Sequence, residues 1–169
     1  MGAPNELKDL NVSVEGIGYR GKVASFEEPV LAIETEEILF GGMLGPVEAD
    51  RGLKAMQAVI TMGSQEKALA REFGKASVTG TKLRLISAYR ADASSTPDAV
   101  EIYISGRFKE INFGTSERKK GTEHKYTCSV AYYRRVVNGV DEIEIDFLNG
   151  IFIVDGVDRY AEIMDIIAN

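Results

Sequence analysis

The segment 129–147, SVAYYRRVVNGVDEIEIDF, contains two runs of β-forming residues separated by Asn138-Gly139. In the second run, apolar residues at 143, 145 and 147 alternate with acidic residues at 142, 144 and 146, as in a strand with one buried face. Asn-Gly favours a two-residue turn with positive φ at both positions, which joins antiparallel strands. The segment therefore predicts a β-hairpin with strands at 129–137 and 140–147.

Similar patterns recur along the whole chain. Val100, Ile102 and Ile104 share one face of a strand, and Glu101 and Tyr103 occupy the other. Glycine-rich or polar segments separate further expected strands at 11–14, 22–26, 30–40, 54–62, 82–89, 109–113 and 152–154. Short strands with frequent turns predict a mainly β fold of packed antiparallel sheets, in a sandwich-like or barrel-like arrangement.

Two helices are expected beside the sheets. Ser64 is placed to cap a short helix over 65–73, with Leu69 and Phe73 on one face and Gly74 after its end. In the C-terminal helix, apolar residues fall at 160, 163, 164 and 167, and acidic residues at 158, 162 and 165 face outward. This apolar stripe is expected to pack on the sheet or on a neighbouring subunit.

The composition argues against catalysis, cofactor binding and broad nucleic-acid binding. The 169 residues contain one His, one Cys and no Trp, and their net charge is −6, the wrong sign for gripping phosphates. The chain has no apolar run long enough to span a membrane, so no membrane partner is expected. The sequence shows no repeat, linker or compositional break, which predicts a single domain over 1–169.

Each candidate reactive group has a simpler structural interpretation. His124 and Cys128 lie four residues apart on an expected strand, about 13 Å, too far for direct proton transfer, so we expect a surface histidine and a packed thiol. The acids at 141, 142, 144 and 146 are expected on a solvated face, and the basic run 118–120 in a turn. No catalytic, cofactor or metal site is predicted.

Two glycine-rich segments resemble nucleotide-binding motifs only superficially. The segment 16–21 reads G-x-G-x-x-G, but a strand follows it where a dinucleotide site needs a helix, so a hairpin turn is expected. The segment 41–46, GGMLGP, lacks the lysine of a P-loop. Gly41 to Gly52 instead predicts a connection of about twelve residues between two strands, a length that suggests binding or assembly.

The order of several short motifs resembles the major tail tube protein of contractile-tailed bacteriophages, a family that also supplies the inner tubes of R-type bacteriocins. The motifs are Asn11-Val12-Ser13-Val14-Glu15-Gly16 with Gly21-Lys22-Val23, Gly41-Gly42-Met43 with Gly52-Leu53, Gly106-Arg107-Phe108-Lys109-Glu110-Ile111, Tyr132-Tyr133 with Glu144-Ile145-Asp146, and Asp155-Gly156-Val157-Asp158. Each motif is weak alone, but together, in order and at matching spacing, they are specific.

The resemblance implies a subunit of hexameric rings that stack into a tube, with strands from every subunit forming a continuous inner β-barrel. It implies that a long hairpin loop reaches the neighbouring ring, and that strands 30–40 and 54–62 line the lumen. Carried onto this chain, the stacking loop contains Gly41, Gly42, Met43, Leu44, Gly45, Pro46 and Gly52.

The resemblance also implies the partners and the location. These are the tail sheath protein outside the tube, the tape-measure protein and double-stranded DNA in its lumen, and the baseplate and tail terminator at its ends. The subunit would assemble in the cytoplasm of the bacterial host and reside in the virion tail.

An acidic lumen would repel DNA phosphates and allow passage during ejection. We therefore expect some of five acidic residues to face the lumen, namely Glu34, Glu36, Glu37, Glu48 and Asp50. Two alternatives remain open, the inner tube of a bacteriocin and a monomeric β-sandwich binding module that uses the 41–52 loop.

Overall fold

A computed structural model describes residues 2–168, which form a mainly β fold. The strands are β1 Asn5–Val14, β2 Ile17–Gly18, β3 Val23–Glu27, β4 Ile33–Ile38, β5 Val47–Leu53, β6 Met56–Met62, β7 Thr81–Ala91, β8 Asp98–Asn112, β9 His124–Val137, β10 Val140–Asp146, β11 Ile151–Val154 and β12 Val157–Asp158. The helices are α1 Lys67–Ala70 and α2 Ala161–Ile167. The mainly β prediction with antiparallel sheets and two helices is confirmed.

The hairpin expected around Asn138-Gly139 is present as β9 and β10. Val137 pairs with Val140, and both turn residues have positive φ, 50° at Asn138 and 79° at Gly139. Strand β10 ends one residue earlier than expected, because the Asp146 carboxylate accepts hydrogen bonds from the backbone amides of Leu148 and Asn149. The sequence thus identified both the turn and the pairing that follows from it.

Ten strands form one antiparallel sheet that forks along β9. The main order is β12-β11-β10-β9-β8-β7-β1-β2. One edge of β9 pairs with β6 from His124 to Val130 and with β10 from Tyr132 to Val137, and β6 pairs in turn with β3. The core lies on one face of this forked sheet and includes the predicted residues at 100, 102 and 104, together with Val12, Leu85, Ile60, Tyr126 and Ile145.

Two expected strands, at 100–104 and 109–113, are parts of the single strand β8. The burial alternation of β8 continues through Phe108 and is broken only by the register shift between Phe108 and Glu110. Because Gly106 also leaves a gap in the apolar pattern, the sequence predicted two strands. Strand β1 begins at Asn5 rather than at residue 11, because its first residues are exposed on both faces and carry no buried alternation. The segment 16–21 follows a hairpin turn at Glu15-Gly16 and contains the two-residue strand β2, which pairs with β1.

Both helices differ from the expectation in detail. Helix α1 is a single turn, and Ser64 does not cap it; the Ser64 hydroxyl donates to the Glu66 carboxylate at 2.7 Å instead. Leu69 of α1 is buried, whereas Phe73, beyond the end of the helix, is exposed. In the C-terminal region Asp158 does not face outward freely, since its carboxylate accepts a hydrogen bond from the Tyr160 amide at 2.9 Å.

Candidate assembly site

The chain between β3 and β6 extends beyond the forked sheet as one long antiparallel ribbon. Its inner part is the β3–β6 pair, in which Glu27 lies opposite Val59, and its outer part is the β4–β5 pair, which begins with Ile33 opposite Leu53. The amide of Lys54 donates to the carbonyl of Ala32 at 2.9 Å between the two parts. We call residues 33–53 the distal hairpin.

The distal hairpin corrects the predicted loop and its flanking strands. Residues 47–52, expected within the loop, belong to β5, so the connection shrinks to residues 39–46, the hairpin tip. Strands 30–40 and 54–62 do not pair with each other, since β4 pairs with β5, and β6 pairs with β3 and β9. Strand β5 was not predicted because its acidic residues give no apolar alternation. Gly52, with a φ of 104°, also lies at an irregularity in the pairing.

The root of the distal hairpin is tied to the main sheet by charge. Arg135 of β9 donates to Glu28 at 3.0 Å and to Glu142 of β10 at 2.8 Å, and its side chain is only a quarter exposed. Pro29, beside Glu28, is buried. The bend between β3 and β4 therefore has a defined position although the hairpin beyond it projects from the sheet.

The two faces of the distal hairpin differ in chemistry. In an antiparallel pair, directly opposite residues share a face. The acidic face carries Thr35 opposite Asp50 and Glu37 opposite Glu48. The other face carries Ile38 opposite Val47 and Glu36 opposite Ala49, and there Arg51 forms an ion pair with Glu36 at 2.6 Å. The acidic face has no basic side chain among these paired positions.

This geometry separates the five acids predicted as lumen candidates. Glu37, Glu48 and Asp50 lie on the acidic face, and all three are exposed. Glu36 lies on the opposite face, as does Glu34 by alternation along β4. Glu37 and Glu48 face each other directly, an arrangement of like charges that opposes hairpin formation.

The hairpin tip exposes large apolar side chains to solvent. Leu44 is fully exposed, Phe40 is 67% exposed and Leu39 is 61% exposed. The tip, LFGGMLGP, contains no charged residue. Gly42 adopts a φ of 89°, and the Phe40 carbonyl accepts a hydrogen bond from the Met43 amide, so the tip has a turn of its own.

A groove of about 740 Å³ lies at the foot of the acidic face, between the distal hairpin, the β10–β11 connection and α2. Its hairpin side includes Ile33 and Leu53, and its opposite side includes Phe152, Tyr160 and Ile163. Ile163 is about half exposed, and its neighbours Ile166 and Ile167 are more exposed still. Apolar surface therefore continues from the groove along α2.

The apolar stripe of α2 is largely not packed on the sheet. Among its four predicted members only Met164 is half-buried, where its Sδ lies so close to Gly150 that a Cβ on that glycine would approach to 2.5 Å. The other three members, at 160, 163 and 167, are exposed. Of the two expected packing partners, the sheet of the same chain is thus largely excluded.

The predicted inert groups do not form a reactive site. Cys128 is fully buried and burial raises the pKa of its thiol to about 12, so the packed thiol is confirmed. His124 is partly buried rather than on the surface, with its ring edge-to-face against Phe113. Within residues 2–168, no three His, Cys, Asp or Glu side chains are grouped so that they could hold a metal ion. None of the described helices is long and apolar enough to cross a membrane.

Comparison with known families accounts for this combination of a buried core and a projecting amphipathic hairpin. A family model described as phage tail tube protein FII matches residues 4–167. The chain belongs to the phage tail tube protein family.

Two relatives cover almost the whole chain. The tail tube protein of Escherichia phage P2 is 32% identical over 165 residues, which are 96% of each chain. The major tail tube protein of Serratia phage KSP20 is 29% identical over 164 residues, covering 96% of this chain and 94% of the relative. This family membership makes the chain a structural tube subunit of contractile phage tails and a virion tail component, and not an enzyme.

The fold has a counterpart among solved structures. The match is a chain of the sheath–tube complex of an extracellular contractile injection system in its extended state, determined by cryo-electron microscopy. Its TM-score is 0.58 at 12% identity, over 81% of this chain and 93% of that chain. At this identity the likeness establishes a shared fold.

Proposed function

We propose that this tube subunit assembles into hexameric rings that stack into the inner conduit of the tail. The observation that supports the proposal most directly is the distal hairpin, a two-stranded sheet separate from the main sheet of its own chain. A lone two-stranded hairpin is marginally stable in water, and the distal hairpin also exposes Ile33, Val47 and its apolar tip. The distal hairpin therefore needs contacts with neighbouring subunits to be stable.

Neighbouring copies can supply what the distal hairpin lacks. Within residues 2–168, neither the outer edge of β4 nor that of β5 is hydrogen-bonded to another strand. Unpaired edges invite pairing with another chain, and closure of a ring removes them. Six hairpins side by side would form the continuous inner barrel, with each subunit contributing its single domain around the outside.

The acidic face is the part of the hairpin suited to the lumen. Its Glu37, Glu48 and Asp50 are exposed and unpaired with basic side chains on that face, so they would repel DNA phosphates from the wall. The face that carries Ile38, Val47 and Ala49 is suited instead to packing against protein. Glu34 and Glu36 would then lie away from the channel.

The remaining partners follow from the proposed position in the tail. The sheath protein would surround the tube, and the structural match comes from a sheath–tube complex. The tape-measure protein and then double-stranded DNA would occupy the lumen, with the baseplate and the terminator at its two ends. Assembly would take place in the host cytoplasm.

Electron microscopy of the purified chain tests the assembly. Rings or tubes with six-fold symmetry are expected, and a reconstruction should show Glu37, Glu48 and Asp50 along the channel. Strictly monomeric protein at all concentrations, even with nucleating tail proteins, would favour the monomeric binding module instead. Full phage particles with a DNA-filled head would distinguish a phage from a bacteriocin.

DNA retention tests the acidic lumen. Tubes of the Glu37→Lys/Glu48→Lys variant should retain double-stranded DNA in a salt-dependent manner, whereas wild-type tubes should release it. Glu34→Lys, on the opposite face, is the matched control and should behave like wild type. Equal retention by the control and the double variant would contradict the proposed orientation of the hairpin.

A further inference from the structure

We propose that the exposed face of helix α2 docks on residues 67–78 of a second copy of this chain. The inference rests on the proposed tube function and names the surfaces through which the bodies of neighbouring subunits meet. The first surface, the α2 face, consists of Ile163, Ile166 and Ile167, with Glu162 beside them. The second surface, the α1 segment, consists of residues 67–78, which contain α1 and lead toward β7.

The α2 face is apolar and open to solvent. Ile166 is 77% exposed, Ile167 is 65% exposed, and no residue of α2 is buried. Glu162 precedes Ile166 by one helical turn, so its carboxylate borders the apolar side chains. Adjoining exposed apolar side chains with a polar border are typical of a surface that binds another protein.

Acids dominate the charge around the α2 face. Between residues 155 and 168, four acidic residues accompany one cation, Arg159; the acids are Asp155, Asp158, Glu162 and Asp165. Neither Asp155 nor Glu162 forms an ion pair within residues 2–168. The face therefore offers apolar area and negative charge to a partner, and a matching partner surface has exposed apolar side chains beside cations.

The α1 segment has this complementary chemistry. Phe73 is 52% exposed and Val78 is 44% exposed. Lys67 and Arg71 lie one helical turn apart, and both are exposed. Within the part of the chain that the structure describes, neither cation forms an ion pair.

The acids of the α1 segment and its border are already neutralised within the chain. Glu72 forms an ion pair with Lys75, and Glu66, just before α1, forms one with Lys22 at 3.0 Å. The positive charge of Lys67 and Arg71 is therefore not cancelled by these neighbouring acids. It can pair with the acids of the α2 face on another copy.

The two surfaces do not cover each other within one chain. The α1 segment is held on β8, where the amide of Gly74 donates to the carbonyl of Phe108 at 3.4 Å. Helix α2 is held on the β10–β11 connection, where Met164 lies against Gly150. Strand β9 separates β8 from β10 in the main sheet. Because each surface is fixed at its own place and left exposed, their contact requires two copies.

A contact between two different surfaces repeats from copy to copy. Each chain would offer its α2 face to one neighbour and its α1 segment to another, and such a head-to-tail interface forms a ring when the rotation between copies closes. Burial of the apolar side chains favours the contact, and the opposite charges fix its register. The subunit bodies would then be joined independently of the distal hairpins.

Charge reversal on the two surfaces tests the contact. Glu162→Lys or Arg71→Glu alone should raise the protein concentration needed for assembly about tenfold, because each variant places like charges opposite each other. A one-to-one mixture of the two variants should assemble like wild type, since alternating copies again meet with opposite charges at every contact. Glu123→Lys, at an exposed acid in the β8–β9 connection, is the matched control and should assemble like wild type.

Two outcomes of this experiment would overturn the contact. One is a mixture that assembles no better than either variant alone. The other is normal assembly of both single variants, which would show that the two charges do not lie near each other between copies. Failure of the wild-type chain to form rings or tubes would instead contradict the proposed function.

Cysteine cross-linking gives a second test that changes no charge. On mild oxidation of assembled protein, the Phe73→Cys/Ile166→Cys double variant should form covalent ladders, whereas each single variant should stay monomeric on a non-reducing gel. Phe73→Cys/Val140→Cys is the matched control, since Val140 is 70% exposed but lies at the β9–β10 turn. Native Cys128 is buried and should not contribute. Assembled protein without a ladder would overturn the contact and leave the tube function intact.

Discussion

Arg135 of β9 donates a hydrogen bond from Nη1 to Oε2 of Glu28, 3.0 Å away and 107 residues earlier in the chain. The same guanidinium donates from Nε to Glu142 of the neighbouring strand at 2.8 Å. One side chain therefore joins the root of the projecting hairpin to the most regular part of the main sheet. The position of the distal hairpin relative to the core depends on this link.

Replacing Arg135 should loosen the hairpin more than the domain. Arg135→Gln should lower the free energy of unfolding by about 1 kcal/mol, since both ion pairs are partly exposed. Hydrogen exchange at the amides of β4 and β5 should accelerate by more than the loss of global unfolding free energy alone would cause. Arg134→Gln, which removes the exposed pair with Asp141 and the cation–π contact with Tyr103, is the control. Equal acceleration in both variants would contradict the role of Arg135.

Gly106 should tolerate no side chain. A Cβ at this position would lie 2.0 Å from the carbonyl oxygen of Ser129 and 2.9 Å from Sγ of Cys128, both within the tightly packed β8–β9 pair. Gly106→Ala should therefore cost about 3 kcal/mol of unfolding free energy or prevent folding, measured by denaturant titration. Gly41→Ala, where no atom lies within 4 Å, should be close to neutral for folding. A stable Gly106→Ala protein would show that the β8–β9 pairing is wrong here.

Relief of the repulsion between Glu37 and Glu48 should stabilise the distal hairpin of the isolated subunit. Glu48→Gln keeps an oxygen that can accept the hydrogen bond from the Thr35 hydroxyl, and it removes one of two directly opposed charges. The amides of β4 and β5 should gain protection from hydrogen exchange equivalent to a few tenths of a kcal/mol, and the gain should shrink in high salt. Glu110→Gln, on β8 opposite the uncharged Thr127 of β9, is the control. A salt-independent gain would exclude charge repulsion as the cause.

The Cys128 thiol should be unreactive in the folded chain. Burial raises its pKa from 9.0 to about 12, so the thiolate that thiol reagents require is scarce at neutral pH. One thiol per chain should react in denaturant and almost none without it. Intact particles should run as single chains on a non-reducing gel, and cross-linked chains would contradict the burial.

The same pKa shift makes stability depend on alkaline pH. The folded state holds the Cys128 proton up to about pH 12, whereas the unfolded chain releases it near pH 9.0, so stability falls as pH rises through this interval. Tyr132, with a pKa raised to about 12 from 10.0 chiefly by burial, adds to the fall at the upper end. Cys128→Ala should flatten the profile between pH 9 and 10. An unchanged slope would assign the dependence to other groups.

Local sequence patterns predicted the parts of this fold that depend on nearby residues. The Asn138-Gly139 turn, the buried face of β8 and the packed Cys128 all follow from alternation, turn chemistry or composition. Strand β5 did not, because its exposed acids and its irregular Gly52 leave no buried face to detect. The predicted helix at 65–73 shortened to one turn, since the backbone at Phe73 and Gly74 joins Phe108 of β8 instead of continuing the helix.

The sequence by itself determined that this chain is a mainly β protein, and its ordered motifs resembled the tube family. Only the tertiary structure divided five similar acids between two faces and brought α2 beside Ile33 and Leu53 to form a groove. The physical reason is how far apart in the sequence the interacting residues lie. Alternation and turns are set by residues a few positions apart, whereas the register of β4 with β5 and the groove depend on pairings that no local pattern encodes.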